Sequence, residues 1–402
     1  MKTYQLVVLL LVVSILASLA LAGEESVKKG LVYVTNSNVP SQGTEKIQLR
    51  ELWRIGGADE DVIFSSIDKV LIGRDGDLYI LDGRSSLVLV RSLADGSEVR
   101  TISIAGEGPG ELDFASNMFL LGDDQIGLLR PSPAKVVSIN YEGQPGDRID
   151  ITNTTSDMFL AWYADWADGI MVMGGQNPME GRIFLSQYAP YGELRSYYSY
   201  ASSSSLAEKK VSEADTYLVL SKPWAIDSKA QIYLAPYWAH PSAQSYSIQV
   251  YDKQAKLLRV FSRQYESRKR SHDEKKIAQQ KLFGGVTGLQ TLLRQGGQCL
   301  VEDYVQDVAE IYVHPDGNIW VHTSRSATDQ SVGTMITYDV FSPAGHFIKQ
   351  VSLLGSGNGE KDIVYFVGPD RLVLVKGQTD ILSYGVYGSA DVLEIVCYST
   401  QE

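Results

Sequence analysis

Short apolar runs recur along this chain and are separated by polar turns. The clearest unit is an Asp-Gly turn followed by an aliphatic and aromatic run, as at 75–80 (Asp-Gly-Asp-Leu-Tyr-Ile) and 316–321 (Asp-Gly-Asn-Ile-Trp-Val). Glycine permits the positive φ that a tight turn requires, and the β-branched and aromatic residues after it favour extended strands. The pattern therefore predicts β-hairpins.

The same unit recurs, with weaker sequence similarity, at four more places, so the chain contains six copies. The first aliphatic residue after each turn marks the second strand of its copy. These anchor residues are Leu78, Ile126, Ile170, Ile232, Ile319 and Leu372. A third strand follows each anchor, and an outer strand follows in the first five copies, with partial alternation of apolar and polar residues. The repeat predicts six antiparallel sheets of four strands.

The sixth copy has no outer strand of its own, but a strand-like segment at 46–55 precedes the first copy. We expect this segment to complete the sixth sheet and so to join the two ends of the chain. Four-stranded antiparallel sheets arranged radially form a β-propeller, in which few strand edges stay exposed. We therefore predict an all-β fold, a single six-bladed β-propeller over 46–402 that an N-terminal strand closes, preceded by an extension at 23–45.

Two glycine-rich segments support this register. Residues 106–111 and 355–360 both fit G-x-G-x-G-E and follow the outer strands of the first and fifth copies. A phosphate-binding loop would need a following helix with a lysine, or a dinucleotide-binding fingerprint, and neither is present. We expect both segments to be crossovers between blades, where glycine supplies backbone conformations that other residues avoid.

Three segments of this sequence resemble bacterial exported six-bladed β-propellers related to NHL repeats. They are 52–57 (Leu-Trp-Arg-Ile-Gly-Gly), 75–82 and 106–111. The resemblance is close over roughly 46–115 and 307–360, and loose in the second, third and fourth copies. It implies the propeller fold and a location in the cell envelope, and it carries over no catalytic residues.

A long spacing between the fourth and fifth anchors, 87 residues, leaves room for an insertion at about 264–300. Residues 263–281 include seven Lys or Arg and three acidic residues, among good helix formers. We expect a helix there and a second short helix at 289–293. This basic insertion is either a solvated surface or an arm that meets an acidic partner or the acidic ring itself. Its candidate binding residues are Arg268, Lys269 and Arg270.

The first 22 residues have the pattern of a secretory signal peptide: Lys2, then an apolar run, then Ala-Leu-Ala before Gly23. No later segment is long and apolar enough to span a membrane, so we expect a periplasmic or extracellular protein after cleavage. The chain has 36 Lys and Arg against 48 Asp and Glu, a net charge of −12. Such a field repels phosphate backbones, and we expect no nucleic-acid partner.

The histidines and cysteines do not form a recognisable metal or catalytic pattern. His314 and His322 flank the fifth Asp-Gly turn, but strand pairing about that turn places His314 near Asn318 and His322 near Glu310. Most copies have no histidine near the inner strand, and ring-centred metal sites take ligands from several blades. We expect core or surface roles for the histidines.

Other residue types that could carry chemistry have simpler explanations. Asp75, Asp77 and Asp82 lack the spacing of a calcium loop and suit turns and caps. Cys299 and Cys397 lie 98 residues apart without a C-x-x-C pair, which argues against zinc. They either pair in an oxidising compartment or stay free thiols. No G-x-S-x-G segment is present, and neither cysteine is beside a histidine.

Aromatic residues near predicted loops are candidates for ligand binding, with packing between blades as the alternative. They are Trp162, Tyr163, Trp166, Tyr237, Trp238 and His240. We expect a binding or scaffold protein without a cofactor, which recognises a protein, peptide or glycan of the cell envelope through one face of the ring. The alternative is a metal-dependent lyase or lactonase-type hydrolase, with a divalent metal in the central channel. Propellers support both classes.

Overall fold

The structure is a computed structural model that covers most of the chain. The described residues are 23–57, 62–146, 149, 151, 159–189, 192–204, 209–237, 244–282, 291, 293–377 and 393–401. The expected signal peptide, 1–22, lies outside them. Among the described residues, no helix is both long and apolar enough to cross a membrane.

Six antiparallel sheets form the blades of a β-propeller, and the predicted fold class is confirmed. Each blade is numbered in chain order, and its strands run from the centre of the ring outward. The strands are β1 (Glu24–Lys28), β2 (Leu31–Asn36), β3 (Thr44–Gln48) and β4 (Arg50–Gly56) before the first blade; β5 (Lys69–Ile72), β6 (Leu78–Asp82), β7 (Leu87–Arg91) and β8 (Glu98–Ser103) in blade 1; β9 (Asn117–Leu121), β10 (Gln125–Pro131) and β11 (Ala134–Asn140) in blade 2; β12 (Leu160–Ala167), β13 (Ile170–Asn177), β14 (Arg182–Ala189) and β15 (Gly192–Ala201) in blade 3; β16 (Lys210–Ser212) outside the blades; β17 (Trp224–Ile226), β18 (Ile232–Leu234), β19 (Ser245–Tyr251) and β20 (Leu257–Gln264) in blade 4; β21 (Gln298–Leu300) outside the blades; β22 (Val308–Val313), β23 (Ile319–Thr323), β24 (Thr334–Phe341) and β25 (Phe347–Leu354) in blade 5; and β26 (Ile363–Gly368), β27 (Arg371–Lys376) and β28 (Glu394–Ser399) in blade 6.

Within the described residues, blade 2 has three named strands, and single bridges lie at its outer edge. Ile149 bridges to Val136, and Pro145 bridges to Ile139, on the outer side of β11. The predicted outer strand at 148–151 lies partly outside the described residues, and the bridge at Ile149 falls within it.

The core of the protein lies between neighbouring blades. Among the described residues, six apolar clusters each join one blade to the next, and the cluster between blades 6 and 1 closes the ring. In that last cluster Leu78 and Ile80 of blade 1 pack with Val373 and Val375 of blade 6. Because apolar side chains point to both faces of the inner strands, every blade is buried on two sides.

Glycines at the predicted turns have the expected conformations. Gly76 and Gly317, in the Asp-Gly turns, have φ of +87° and +85°. In the first glycine-rich crossover Gly106 has φ of +143°, and the Glu111 carboxylate accepts a hydrogen bond from Gly108 N at 2.9 Å. The second crossover is tight, since a Cβ on Gly357 would lie 2.2 Å from Met335 Sδ.

The N-terminal segment closes the ring, but not as the single strand expected at 46–55. β4 pairs antiparallel with β28 and completes blade 6, as predicted. The first part of the segment is a separate strand, β3, which runs parallel to β25 as a fifth strand of blade 5. The division falls at Leu49, whose buried side chain packs into the core between blades 5 and 6 while its N–H donates to Leu354 O at 2.9 Å. The chain thus passes from one blade to the next at this residue. The hairpin of β1 and β2 extends blade 4 in the same way.

Two long crossovers lie on one face of the ring. Each outer strand ends on the face where the next inner strand begins, and we call this the crossover face. The crossover from blade 3 to blade 4 contains β16, a 3-10 turn (Glu213–Thr216) and one helical turn, α1 (Tyr217–Leu220). The helical arm, residues 265–307, links blades 4 and 5 and contains the predicted helix as α2 (His272–Leu282). The second predicted helix, 289–293, lies largely outside the described residues.

Candidate functional site

Three inner strands each carry a charged residue in a mostly apolar sequence, and these residues line the central channel. Five residues from five blades, which we call the channel cluster, contribute to it. They are Lys69 on β5, Asp165 on β12, Lys222 before β17, Glu310 on β22 and Tyr365 on β26. Lys69 of blade 1 and Lys222 of blade 4 influence each other electrostatically. Blades 1 and 4 are opposite each other in a ring of six, so this interaction crosses the channel.

Lys222 and Asp165 form an ion pair within the cluster. Lys222 Nζ lies 2.6 Å from Asp165 Oδ2, and the two side chains are only 20% and 27% exposed. The Lys222 amine also lies 4.9 Å from the centre of the Trp224 ring, a favourable cation–π position. Burial by itself would raise the pKa of Asp165, but the positive charges of Lys222 and Lys69 outweigh it, so this pKa is lowered. Asp165 is therefore ionised at neutral pH.

Glu310 is held by one residue of its own strand, β22, and by one residue of the next strand, β23. Tyr312 donates a hydrogen bond to Glu310, and His322 Nδ1 lies 3.7 Å from Glu310 Oε2. Glu310 and His322 are register partners, which confirms the pairing predicted about the fifth Asp-Gly turn. Burial by itself would raise the pKa of Glu310. The hydrogen bond and charge of His322 and the hydrogen bond of the Tyr312 hydroxyl outweigh burial, so this pKa is lowered. This carboxylate is ionised as well.

Lys69 has a different environment from the other charged members. Its amine lies 5.6 Å from the centre of the Tyr365 ring. Within the described part of the chain, no hydrogen bond or ion pair of this amine is found, although the side chain is half-buried. Burial and the Lys222 ammonium lower the pKa of Lys69 to about 8, while Asp165 and Glu310 oppose them. Lys69 is thus a cation without a close anion.

The donor set of the channel cluster does not fit a divalent metal. Its two carboxylates already bind Lys222, Tyr312 and His322. A divalent cation would be placed beside two ammonium groups, which it would repel. Among the described residues, no group of three or more His, Cys, Asp and Glu side chains is arranged to hold a metal.

The three aromatic candidates before the third turn lie on β12, not in a loop. Trp162 is at a β-bulge between Ala161 and Tyr163, and its buried Nε1 has no hydrogen-bond partner among the described residues. Tyr163 packs against the core between blades 3 and 4, and its pKa is raised by burial and by the charges of Glu310 and Asp68, residues of blades 5 and 1. Trp166 packs against the core between blades 2 and 3. The sequence signal for this strand is the run of apolar and aromatic residues over Leu160–Ala167, which only Asp165 interrupts.

Tyr237 packs into the crossover face. Its ring stacks on Tyr200 with centroids 5.2 Å apart, and its hydroxyl donates to Glu302 Oε1 at 3.0 Å. The other two candidates of that loop, Trp238 and His240, lie outside the described residues. Tyr237 therefore links blade 4 to the helical arm, and this packing role is the alternative to ligand binding that its sequence position leaves open.

The basic residues of the arm mostly pair within the protein. Arg270 forms two hydrogen bonds with the carboxylate of Glu213, in the neighbouring crossover, and Arg268 pairs with Glu274 of α2. Lys269 is exposed. The arm also pairs through β21 with β16. Of the alternatives predicted for the arm, the structure shows contact with an acidic residue of the protein itself.

Two described histidines, His314 and His346, and both cysteines lie away from the channel and have structural surroundings. His314 is buried and stacks on Trp320 with centroids 4.4 Å apart, and burial lowers its pKa. His346 Nε2 lies 2.9 Å from Glu25 Oε1 and joins blade 5 to β1. Cys299 and Cys397 are free thiols, and burial raises the pKa of each to about 11.

Neither a family model nor a curated protein matches the sequence. Solved structures of similar fold include a putative exported protein from Bacteroides fragilis, at 12% identity and a TM-score of 0.45, over 91% of this chain and 99% of that chain. A member of the DUF4221 family from Bacteroides vulgatus has 11% identity and a TM-score of 0.47, over 88% and 98%. Regucalcin from Agrobacterium tumefaciens, a calcium-binding protein, has 9% identity and a TM-score of 0.43, over 89% and 97%. The similarity is one of fold, and the relation to NHL repeats stays a prediction.

Proposed function

We propose that the protein is an exported binding protein, periplasmic or extracellular, and that it recognises a peptide, protein or glycan through the crossover face and the central channel. One observation carries the proposal: Lys69, Asp165, Lys222 and Glu310 come from four blades and meet in the channel. Charged side chains lose hydration when they are moved into a protein interior, and apolar residues would stabilise the ring better. Their presence is understood if a polar ligand uses them.

The crossover face supplies a recognition surface around the channel. The helical arm and the blade 3 to blade 4 crossover are joined by β16 and β21, and Tyr237 ties both to blade 4. Loops held on a rigid scaffold are common binding elements. A ligand larger than the channel would contact this surface while one polar group reaches the channel cluster.

A metal-dependent lyase or lactonase has less support from the same residues. Such enzymes need carboxylate or histidine ligands free to coordinate, and Asp165 and Glu310 are already engaged. A general acid also needs a pKa near the working pH, whereas the pKa values of both carboxyl groups are lowered. The channel cluster is better suited to holding a polar ligand in place.

The proposal can be tested with arrays of defined peptides and glycans. We expect bound ligands to be lost from a Glu310→Gln variant and from the Lys222→Met/Asp165→Asn double variant, which removes both charges of the ion pair. Lys349→Met is the matched control because Lys349 pairs with Glu45 on the exterior, at 2.7 Å. Thermal unfolding of each variant separates lost binding from lost folding.

Two results would contradict the proposal. Turnover of lactones that depends on an added divalent metal, and that is lost in the Glu310→Gln variant but kept in Lys349→Met, would contradict a binding role. Ligands that bind every channel variant with the affinity of the native protein would show that the binding site lies outside the channel.

A further inference from the structure

Lys69 is the member of the channel cluster whose charge has no close counterion among the described residues. Asp165 is bound by Lys222 at 2.6 Å, and Glu310 is bound by Tyr312 and His322. The Lys69 amine has only the face of Tyr365 beside it. Two ammonium groups therefore face the channel, and only one of them is neutralised.

The charge of the Lys69 ammonium is unfavourable in the unliganded protein and becomes favourable when an anion binds beside it. A half-buried ammonium has lost part of its hydration, and Lys222 repels it. An anion bound in the channel beside Lys69 would accept a charge-assisted hydrogen bond from the amine. The Tyr365 and Tyr163 side chains, from blades 6 and 3, supply polar and aromatic surface around the same position.

We propose that Lys69 anchors a carboxylate-binding subsite in the central channel, which holds the acidic group of the ligand. The inference rests on the proposed function and specifies one group of its ligand. The chemistry is that of a monoanionic carboxylate, found in uronic acids and at the C-terminus of a peptide.

A carboxylate fits the channel better than a phosphate. The four charged members of the cluster, two lysines and two ionised carboxylates, sum to no net charge. One added negative charge is held by Lys69, whereas a dianion would meet stronger repulsion from Asp165 and Glu310. Arginine forks or helix N-termini, which suit phosphate groups, are absent from the described members of the cluster.

Binding should be linked to protonation of Lys69. Free Lys69, with its pKa at about 8, is partly neutral in mildly alkaline solution, and a bound anion raises the pKa of the amine. Affinity should then be highest below about pH 8 and fall as the pH rises above it. The ionisable groups that face Lys69 or neighbour it are Asp68 on its own segment, Asp82 on β6, Tyr163 and Asp165 on β12, Lys222, Glu310 and Tyr365.

The test is acylation of lysines in the full-length protein with limiting acetic anhydride, followed by mass spectrometry across a pH series. The probes are glucuronate, N-acetylglycine, uncharged glucose and inorganic phosphate. We expect glucuronate or N-acetylglycine to slow acylation of Lys69 and to raise its apparent pKa, without effect on Lys349. Glucose should have no effect, and phosphate a weaker one. Which carboxylate protects better distinguishes an acidic sugar from a peptide terminus.

Direct calorimetric titration supplies the second measurement. We expect Lys69→Met to lose about 30-fold or more of the affinity for the better carboxylate, and Lys349→Met to lose none. Unchanged affinity in Lys69→Met, equal protection by glucose, stronger protection by phosphate, or no protection by any probe would each overturn the subsite. A peptide or glycan that binds the channel without Lys69 would overturn the subsite alone. Small carboxylates that bind at Lys69 while no peptide or glycan binds would instead count against the proposed function.

Discussion

Arg270 of the helical arm and Glu213 of the neighbouring crossover are joined by two parallel hydrogen bonds, at 2.7 and 2.5 Å. Glu213 also accepts a hydrogen bond from Glu302 N at 3.0 Å, so one carboxylate holds both ends of the arm. Arg270 is one-tenth exposed. The two-point geometry fixes orientation as well as distance, which a lysine could not do. The described segments at the two ends of the arm are therefore fixed to the crossover face.

Replacing Arg270 with Met should release the arm. The change leaves Glu213 without its main partner and should cost about 2 kcal/mol of local stability. Hydrogen exchange over α2 and tryptic cleavage after Lys275 should both accelerate. Lys253→Met is the control, since its ion pair with Asp168 is exposed on both sides. Equal protection of α2 in the Arg270 variant would show that β16 and β21 alone hold the arm.

The ion pair of Lys222 and Asp165 should contribute to stability at neutral pH. Lys222→Met strands a partly buried carboxylate and should cost about 1–2 kcal/mol in urea unfolding, and Asp165→Asn in the same chain should recover part of it. Because the folded pKa of Asp165 is lowered, the contribution is present above its unfolded pKa and is lost as the pH falls through the folded value. The difference between native protein and variant should shrink in acid. A difference that is constant with pH would mean that lost packing, not charge, is responsible.

Asp307 should make the protein less stable as the pH rises towards neutrality. It is buried at the C-terminal end of the arm, accepts a hydrogen bond from Ser267 at 3.0 Å, and has one oxygen without a partner among the described residues. Burial raises its pKa to about 7. Since the unfolded carboxyl ionises near pH 4, the folded state loses stability between about pH 4 and 7, up to about 4 kcal/mol.

The Asp307→Asn variant should remove this penalty and keep a polar group beside Ser267. Its melting temperature should exceed that of the native protein at pH 8, and the gap should narrow towards pH 5. Asp123→Asn, at an exposed turn, should change neither value. An Asp307 variant that is less stable than the native protein at pH 8 would contradict the protonated state.

Ring closure should depend on Trp53 of β4. Its side chain is buried between blades 6 and 1, and its Nε1 donates to Leu93 O at 3.0 Å. Trp53→Ala should cost about 3–5 kcal/mol, because it removes a large buried side chain and leaves a cavity. Arg50→Ala, at an exposed position of the same strand, should stay within about 0.5 kcal/mol in the same unfolding experiment. If both variants lost a similar amount of unfolding free energy, the packing of Trp53 between blades 6 and 1 would not be what closes the ring.

The sequence predicted the fold because its signals are local. The Asp-Gly turns at Gly76 and Gly317 fix hairpins, and the register about the second turn places His322 beside Glu310. The division of the closing segment at Leu49 was missed, since both halves are extended and only packing against two blades separates them.

Most of the candidate site was not predicted, because its members are distant in sequence. Lys69, Asp165 and Lys222 belong to three blades and meet only when the ring closes. A search for histidine, cysteine and carboxylate groups passes over lysines. The available signal is a charged residue in a mostly apolar inner strand, which β5, β12 and β22 share, and Lys222 lies shortly before the inner strand β17. Trp162, expected in a loop, lies at a bulge that no local signal marks.

The most direct test of the account is the binding of defined peptide and glycan ligands to native protein and to the Lys69→Met variant, at pH 7 and at pH 9. A ligand that carries a carboxylate should bind the native protein at pH 7, weaken at pH 9, and bind the variant weakly at both. Metal-dependent turnover in place of binding, or binding that neither Lys69→Met nor the pH alters, would contradict a channel that recognises acidic ligands.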